Sequence, residues 1–306
     1  MHYLAIGDKL IALCFFRAAC KSFWFPARIL TMRRYLHSIQ ALALFLTLGA
    51  CWPQYSHAAC SRVINVPVAA TGLSVVIDGE SISGIYPELL RGLTDKEGCT
   101  FAFTAVPRAR LEVLFESGRA DLLIPASRTP KRDQHGSFIA LIHNRPMLIS
   151  LQSARPGIAS TRDLLNQTGL KVALVRGFDY GPAYQDLITA LGQQGRLVLE
   201  VDALSIARLL KSGAADATIM APSIFAGAVQ DDERVRDVQD RLRIEALAEL
   251  PWGDSGVYLS NTTLNPQDKA ALQDALERAA KSGAVWKGFQ RYYTPAILKG
   301  SIRPLS

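Results

Sequence analysis

The chain has 306 residues, with 34 Lys or Arg against 27 Asp or Glu, and its formal charge of +7 is concentrated at one end. Residues 1–58 hold six basic residues and one acid, leaving 28 basic and 26 acidic residues beyond them. A nearly neutral body gives no electrostatic footprint for a polyanion, which excludes nucleic-acid recognition as the main role.

From Met32 the chain reads Arg33-Arg34, then an apolar stretch from Ile39 to Leu48, then a polar segment ending in Ser56-His57-Ala58. This is the pattern of a secretory signal peptide over 32–58, with residues 1–31 reading as upstream of the true start. The apolar run is too short for a transmembrane helix. Leu48-Gly49-Ala50-Cys51 also fits lipoprotein processing, so a lipid anchor at Cys51 is the alternative to a free periplasmic protein. Cleavage after Ala58 leaves only Cys60 and Cys99, an even pair in an oxidising compartment, for which a disulfide is expected.

Beyond the leader, Val63–Val68 reads as a strand, Ile85–Leu93 as a helix with Pro87 in its first turn, and Thr100–Val106 as a second strand. A helix over Arg108–Glu116 and a strand over Leu122–Ile124 complete a β-α-β-α-β opening. Met147–Leu151 reads as the last apolar run before a loop-like crossing at Ser153–Gly157. A fresh α/β unit follows: strand Leu170–Val175, helix Pro182–Leu191, strand Leu197–Val201, helix Leu204–Lys211 and strand Ala217–Met220. The charged stretch Asp231–Arg243 reads as solvated surface. Then come strand Gly256–Ser260, a helix from the Asn265-Pro266 cap to Ala280, and a last helix with Val285, Trp286, Phe289, Tyr292 and Tyr293 on one core-facing stripe.

One segment recurs. Ser117-Gly118-Arg119-Ala120-Asp121 returns 95 positions later as Ser212-Gly213-Ala214-Ala215-Asp216, in each case at the end of an amphipathic helix and before an apolar run. Half of a β-α-β unit is therefore built twice, which predicts two α/β sub-domains whose strand C-termini face a common gap. Lobe one is expected over residues 60–152 and 254–306, and lobe two over 153–253.

Thr129 and Pro130 suit the N-cap and first position of a helix, which makes Arg132 its third residue. A cation there opposes the helix dipole unless an anion docks on it, and a guanidinium takes a carboxylate bidentately. In the second unit, Val175-Arg176-Gly177-Phe178-Asp179-Tyr180-Gly181-Pro182 is a strand end, a glycine turn and a helix start aimed at the same gap. Phe178, Asp179 and Tyr180 are candidate ligand contacts. Arg108 and Arg110 read as surface residues at a helix start, with added positive charge near the cleft as the alternative.

Gly84-Ile85-Tyr86-Pro87-Glu88-Leu89-Leu90 and Ser127-Arg128-Thr129-Pro130-Lys131-Arg132 resemble the Gly-Phe-Asp-x-Asp-Leu and Ser-x-Thr-x-x-Arg segments of the family 3 periplasmic solute-binding proteins, the polar amino-acid receptors of ABC importers. The resemblance covers roughly residues 61–293. It implies a two-lobe, type II (Venus flytrap) α/β fold in which Arg132, helped by Ser127 and Thr129, holds the ligand carboxylate, Tyr86 lies near the ligand, and the Gly177 turn offers backbone N–H groups. It also implies an ABC permease or a membrane receptor as partner, and a monomeric protein. The family's ammonium-binding carboxylate falls at Ala221, so an ordinary α-amino acid is not the default ligand. Asp179, Asp254 or Glu249 are substitutes to consider.

Enzyme readings find less support. Gly253-Asp254-Ser255-Gly256 resembles a serine-protease nucleophile loop, but the only histidines beyond the leader, His135 and His143, lack the expected context. Trp252, Asp254 and Ser255 are instead expected to line the cleft on the return crossing. Histidine and cysteine spacings fit no metal site and no phosphate-binding loop is present, so no cofactor is expected. A hydrolyase of the cyclohexadienyl dehydratase type is the alternative within the same fold.

Overall fold

The computed structural model describes residues 60–305; the leader, both candidate cleavage sites and Cys51 lie outside them. The first strand, β1 (Ile64–Val68), is buried on both faces apart from Asn65, as its β-branched run requires. A small hairpin, β2 (Val76–Asp78) and β3 (Ser81–Ser83), leads to α1 (Ile85–Glu97), whose Ile85, Tyr86, Leu90 and Leu93 are buried. This helix runs four residues past Leu93, to the left-handed Gly98 that ends it. β4 (Phe101–Ala105) pairs in parallel with β1. The Cys60–Cys99 disulfide, spanning 39 residues, ties the approach to β1 to the approach to β4.

Next come α2 (Arg108–Glu116), β5 (Leu122–Ser127), the four-residue α3 (Pro130–Asp133) and β6 (Gly136–Asn144). β6 has no counterpart in the sequence reading. Its order in the sheet explains why: it lies between β12 (Gly253–Ser260) and β13 (Ile302–Arg303), elements that follow it by more than a hundred residues.

The second unit holds β7 (Met147–Leu151), α4 (Thr161–Asn166), β8 (Val172–Val175), α5 (Pro182–Gln193), β9 (Leu197–Glu200), α6 (Ala203–Ser212), β10 (Ala217–Met220), α7 (Pro222–Val229) and β11 (Leu242–Glu245). Its five strands lie in the order β11-β7-β10-β8-β9. Two expectations are corrected here. Met147–Leu151, assigned above to lobe one, is antiparallel to β10 and β11, so the chain crosses between sheets at Arg145-Pro146, before this strand. The stretch 153–157 is a loop inside the second unit, with Arg155 hydrogen-bonded to Ser150 and paired with Glu245. The charged stretch 231–243 is solvated as expected, with Asp231, Glu233, Arg234, Arg236, Asp237, Asp240 and Arg241 exposed, while Val235 and Val238 are buried beneath it and the chain runs on into the edge strand β11.

The chain returns through β12 (Gly253–Ser260), followed by α8 (Pro266–Lys281), α9 (Ala284–Tyr292), α10 (Pro295–Leu298) and β13 (Ile302–Arg303). The aromatic stripe of α9 packs into the first core, and Tyr293 accepts a hydrogen bond from the Leu73 N–H at 2.9 Å. Spatially the first unit reads β4-β1-β5-β12-β6-β13, with β5 tied to β1 by the Asp121 N–H donating to the Asn65 carbonyl. The two halves thus share one plan, β4-β1-β5-β12 matching β9-β8-β10-β7.

The repeated segment explains part of that match. Asp121 accepts a hydrogen bond from the Asn65 N–H, and Asp216 accepts one from the Lys171 N–H, both at 2.7 Å. Each aspartate opens a new strand and pins it to the start of the strand beside it, satisfying an N–H that the parallel ladder leaves free.

Candidate functional site

Arg108 and Glu112 are four residues apart on α2, so they share a helix face, and Arg108 Nη2 donates to Glu112 Oε1 at 2.7 Å. The Thr129 side chain caps α3 by accepting from the Arg132 N–H at 3.3 Å, with Pro130 at the first helical position. Tyr258 holds this turn from below: its hydroxyl accepts from the Thr129 N–H at 3.0 Å and donates to Asp133 Oδ1 at 2.9 Å. The cap aims Arg132 inward, where only 2% of it is exposed.

Arg132 is not a free guanidinium awaiting an anion. Its Nε and Nη2 donate to the two oxygens of Glu112, at 3.1 and 2.7 Å, the fork-on-carboxylate geometry expected of a ligand. Nη1 reaches the Ser127 carbonyl at 2.8 Å and the Asp179 carbonyl, in the second unit, at 3.4 Å. Arg108, expected at the surface, is 5% exposed. Its other donors reach the Pro125 carbonyl at 2.9 Å and the Gly177 carbonyl at 3.4 Å, and its guanidinium lies 5.8 Å from the centre of the Phe178 ring. One internal carboxylate therefore serves two buried cations. Burial depresses the Arg108 pKa, with Glu112 holding it up and Arg132 pushing it down. Such a cluster costs desolvation energy at every member, which makes it a poor stabiliser and a good candidate for function.

Beside the cluster lies an interlobe cavity of about 40 Å³. Thr71, Ser127, Asn144 and Ser255 line it from the first unit, Phe178, Asp179, Tyr180 and Ile224 from the second, and both arginines reach it. The volume suits a water or two rather than an organic solute, so a ligand of amino-acid size requires the lobes to part. The side chain of Asn144, 7% exposed, makes no hydrogen bond among the described residues and is a free amide at the wall. Gly177 rests on Ala109 at the lobe boundary, and a groove of about 600 Å³ there is lined by Glu112, Thr129, Lys131, Gly177, Asp179 and Leu199.

Of the residues expected at the site, Ser127, Arg132, Phe178, Asp179, Tyr180 and Ser255 line the cavity, and Thr129 and Gly177 line the groove. Four others do not reach either. Tyr86 is 1% exposed and packs edge-on against Phe289 with ring centres 6.3 Å apart; burial pushes its phenol up, and its hydroxyl is turned toward Ser255. Ala221 is buried at the start of α7, close to the Tyr180 hydroxyl, whose pKa is raised chiefly by burial. Trp252 stacks on Arg303 at 4.5 Å. Asp254 pairs with His143 at 2.8 Å across the crossing strands. Strand alternation turns Ser255 to the opposite face from Asp254, so this pair does not assemble a triad with it. Asp179 spends Oδ1 on its own turn, accepting from the Gly181 N–H at 2.9 Å, and Glu249 accepts from the Thr161 N–H at 2.8 Å.

Sequence reasoning missed Glu112, Thr71, Asn144 and Ile224 as site residues and held Arg108 near the cleft only as an alternative. The i, i+4 spacing of Arg108 and Glu112 was a visible signal, but nothing local announces that Glu112 faces Arg132, twenty residues on.

No protein-family model and no curated protein matches the chain. Solved structures do. A histidine kinase sensor domain with similarity to periplasmic binding proteins superposes with a TM-score of 0.61 at 20% identity, covering 79% of this chain and 98% of that one. An ancestral arginine-binding protein bound to arginine gives 0.60 at 18% identity, covering 76% and 98%. An amino acid ABC transporter substrate-binding protein from Streptococcus pneumoniae, bound to L-arginine, gives 0.60 at 22% identity, covering 75% and 93%. At these identities the likeness establishes the fold, two α/β lobes of the periplasmic-binding-protein kind.

Proposed function

We propose that the chain is an exported solute-binding protein that captures a small carboxylate-bearing or amino-acid-like solute between its lobes and delivers it to an ABC-type importer. The observation that carries this reading is the Arg108–Glu112–Arg132 cluster: two buried guanidiniums at the lobe boundary, already holding a carboxylate and lining a polar cavity. The bridge from Arg132 to the Asp179 carbonyl and from Arg108 to the Gly177 carbonyl supports closure as the binding step, since both lobes then touch the groups that hold the ligand. Export and a periplasmic site of action follow from the leader and agree with the Cys60–Cys99 disulfide. The role is binding rather than catalysis, with a monomer as the working unit.

A sensory role is the second reading. It is favoured by the match to a kinase sensor domain over 98% of that domain's length, and replaces the permease with a membrane receptor.

Thermal unfolding of the purified protein against amino acids, dicarboxylates, monocarboxylates and polyamines tests the proposal. A ligand at 100 times its dissociation constant stabilises by about 2.7 kcal/mol, a shift of several degrees for this size. Arg132→Ala should weaken carboxylate binding by about 2–5 kcal/mol, the range for truncating one member of a buried charge pair. An unshifted midpoint with every carboxylate in the panel would dismiss the receptor reading.

A further inference from the structure

Glu112 and the carbonyl oxygens of Pro125, Ser127, Gly177 and Asp179 take seven of the ten guanidinium N–H donors of Arg108 and Arg132. Three remain, two on Arg108 and one on Arg132, on side chains that line the cavity at 5% and 2% exposure. The cluster holds two cations and one anion, which leaves one positive charge in excess. Asp179, the other charged residue at the cavity, makes no ion pair with either arginine; its carboxylate caps the turn at Gly181.

A buried, uncompensated charge is costly, and an anion that supplies its counter-charge recovers that cost. A monocarboxylate brings the cluster to neutrality. A dicarboxylate overshoots and buries a negative charge of its own. A zwitterion brings an ammonium beside two guanidiniums, where Glu112 is already held by both arginines and Asp179 by the Gly181 N–H. Burial, which depresses Arg108, acts in the same direction by favouring whatever keeps its charge paired.

We infer that the interlobe site selects singly charged carboxylates, with Arg108 as its second anion-binding guanidinium and Glu112 as the internal counter-ion that sets the site at one positive charge. This rests on the receptor reading above. Glu112 is a positioning residue in this scheme, acting through the two arginines.

The test uses three solutes of one chain length and different charge: butyrate, succinate and γ-aminobutyrate, titrated calorimetrically into the intact protein at neutral pH. Wild type should bind butyrate about tenfold or more tighter than either competitor. Glu112→Gln raises the excess to two charges, and succinate should then gain about tenfold relative to butyrate. The inference is overturned if wild type prefers the dianion or the zwitterion, or if folded Glu112→Gln leaves the succinate-to-butyrate ratio unchanged. A merely structural role for Glu112 would lower all three affinities together and leave that ratio alone. If Glu112→Gln does not fold, the wild-type order decides by itself. Carboxylates that bind in the wrong order sink only this inference, whereas no binding by any carboxylate in the thermal panel sinks the receptor reading and this inference with it.

Discussion

Gly177→Ala separates closure of the lobes from their stability. Gly177 has φ +90°, and a methyl group there would stand 3.0 Å from both the Cα and N of Ala109, inside the 3.4 Å at which ordinary contact begins. The atoms it meets are backbone on the opposite lobe, so relief requires the lobes to part by a few tenths of an ångström. The bonds from Arg108 to the Gly177 carbonyl and from Arg132 to the Asp179 carbonyl are both already 3.4 Å long and would break. At the lower end of the value for hydrogen bonds from charged donors, their loss costs closure about 2–3 kcal/mol, roughly 30- to 150-fold in apparent affinity. The left-handed backbone adds strain of about 1–2 kcal/mol, or about 2–8 °C in melting temperature. Gly181→Ala is the control: its φ is +95°, but a Cβ there meets nothing within 4 Å, so it carries the strain without the clash. Calorimetric titration with a carboxylate ligand should show weakened binding in Gly177→Ala alone, and small-angle scattering should show a more open particle. Equal affinities in the two variants would refute the claim that the Gly177–Ala109 contact closes the site.

Other outcomes follow from the same structure. Cys99→Ser should lower stability by about 3–4 kcal/mol, the chain-entropy value for a loop of this length, read as a shift in the urea midpoint. Asp121 should govern part of the acid limb: burial resists its ionisation, but the hydrogen bonds it accepts, from Arg62 and the Asn65 N–H above all, outweigh burial and hold its pKa below the usual value. A depressed carboxylate stabilises above the unfolded-state pKa of about 3.9 and loses that contribution as pH falls toward the folded value. Wild type should therefore lose stability more steeply than Asp121→Asn below about pH 4 in a urea series, and parallel curves would remove Asp121 from the account.

Local signals carried a large share of the fold. Gly98, Gly118 and Gly213 end or follow helices with positive φ, Thr129 and Asn265 cap theirs, and Pro182 and Pro266 open theirs, because caps and turns depend on a few neighbouring residues. The Asp121 and Asp216 repeat was legible as a repeated unit, and its role in pinning paired strands became clear only with the sheets in place. The aromatic run on α9 was legible as core for the same reason: its spacing is a property of one helix.

What the amino-acid order determined by itself, then, was the two-fold α/β plan, the disulfide and the inward Arg132 at a capped turn. Tertiary structure alone decided which sheet takes Met147–Leu151, since an apolar run reads the same whichever partner it pairs with. It also decided that the carboxylate on Arg132 belongs to Glu112, and that Tyr86, Ala221, Trp252 and Asp254 stand outside the cavity. Charge pairing and cavity lining depend on the relative placement of elements distant in sequence, which no local pattern encodes.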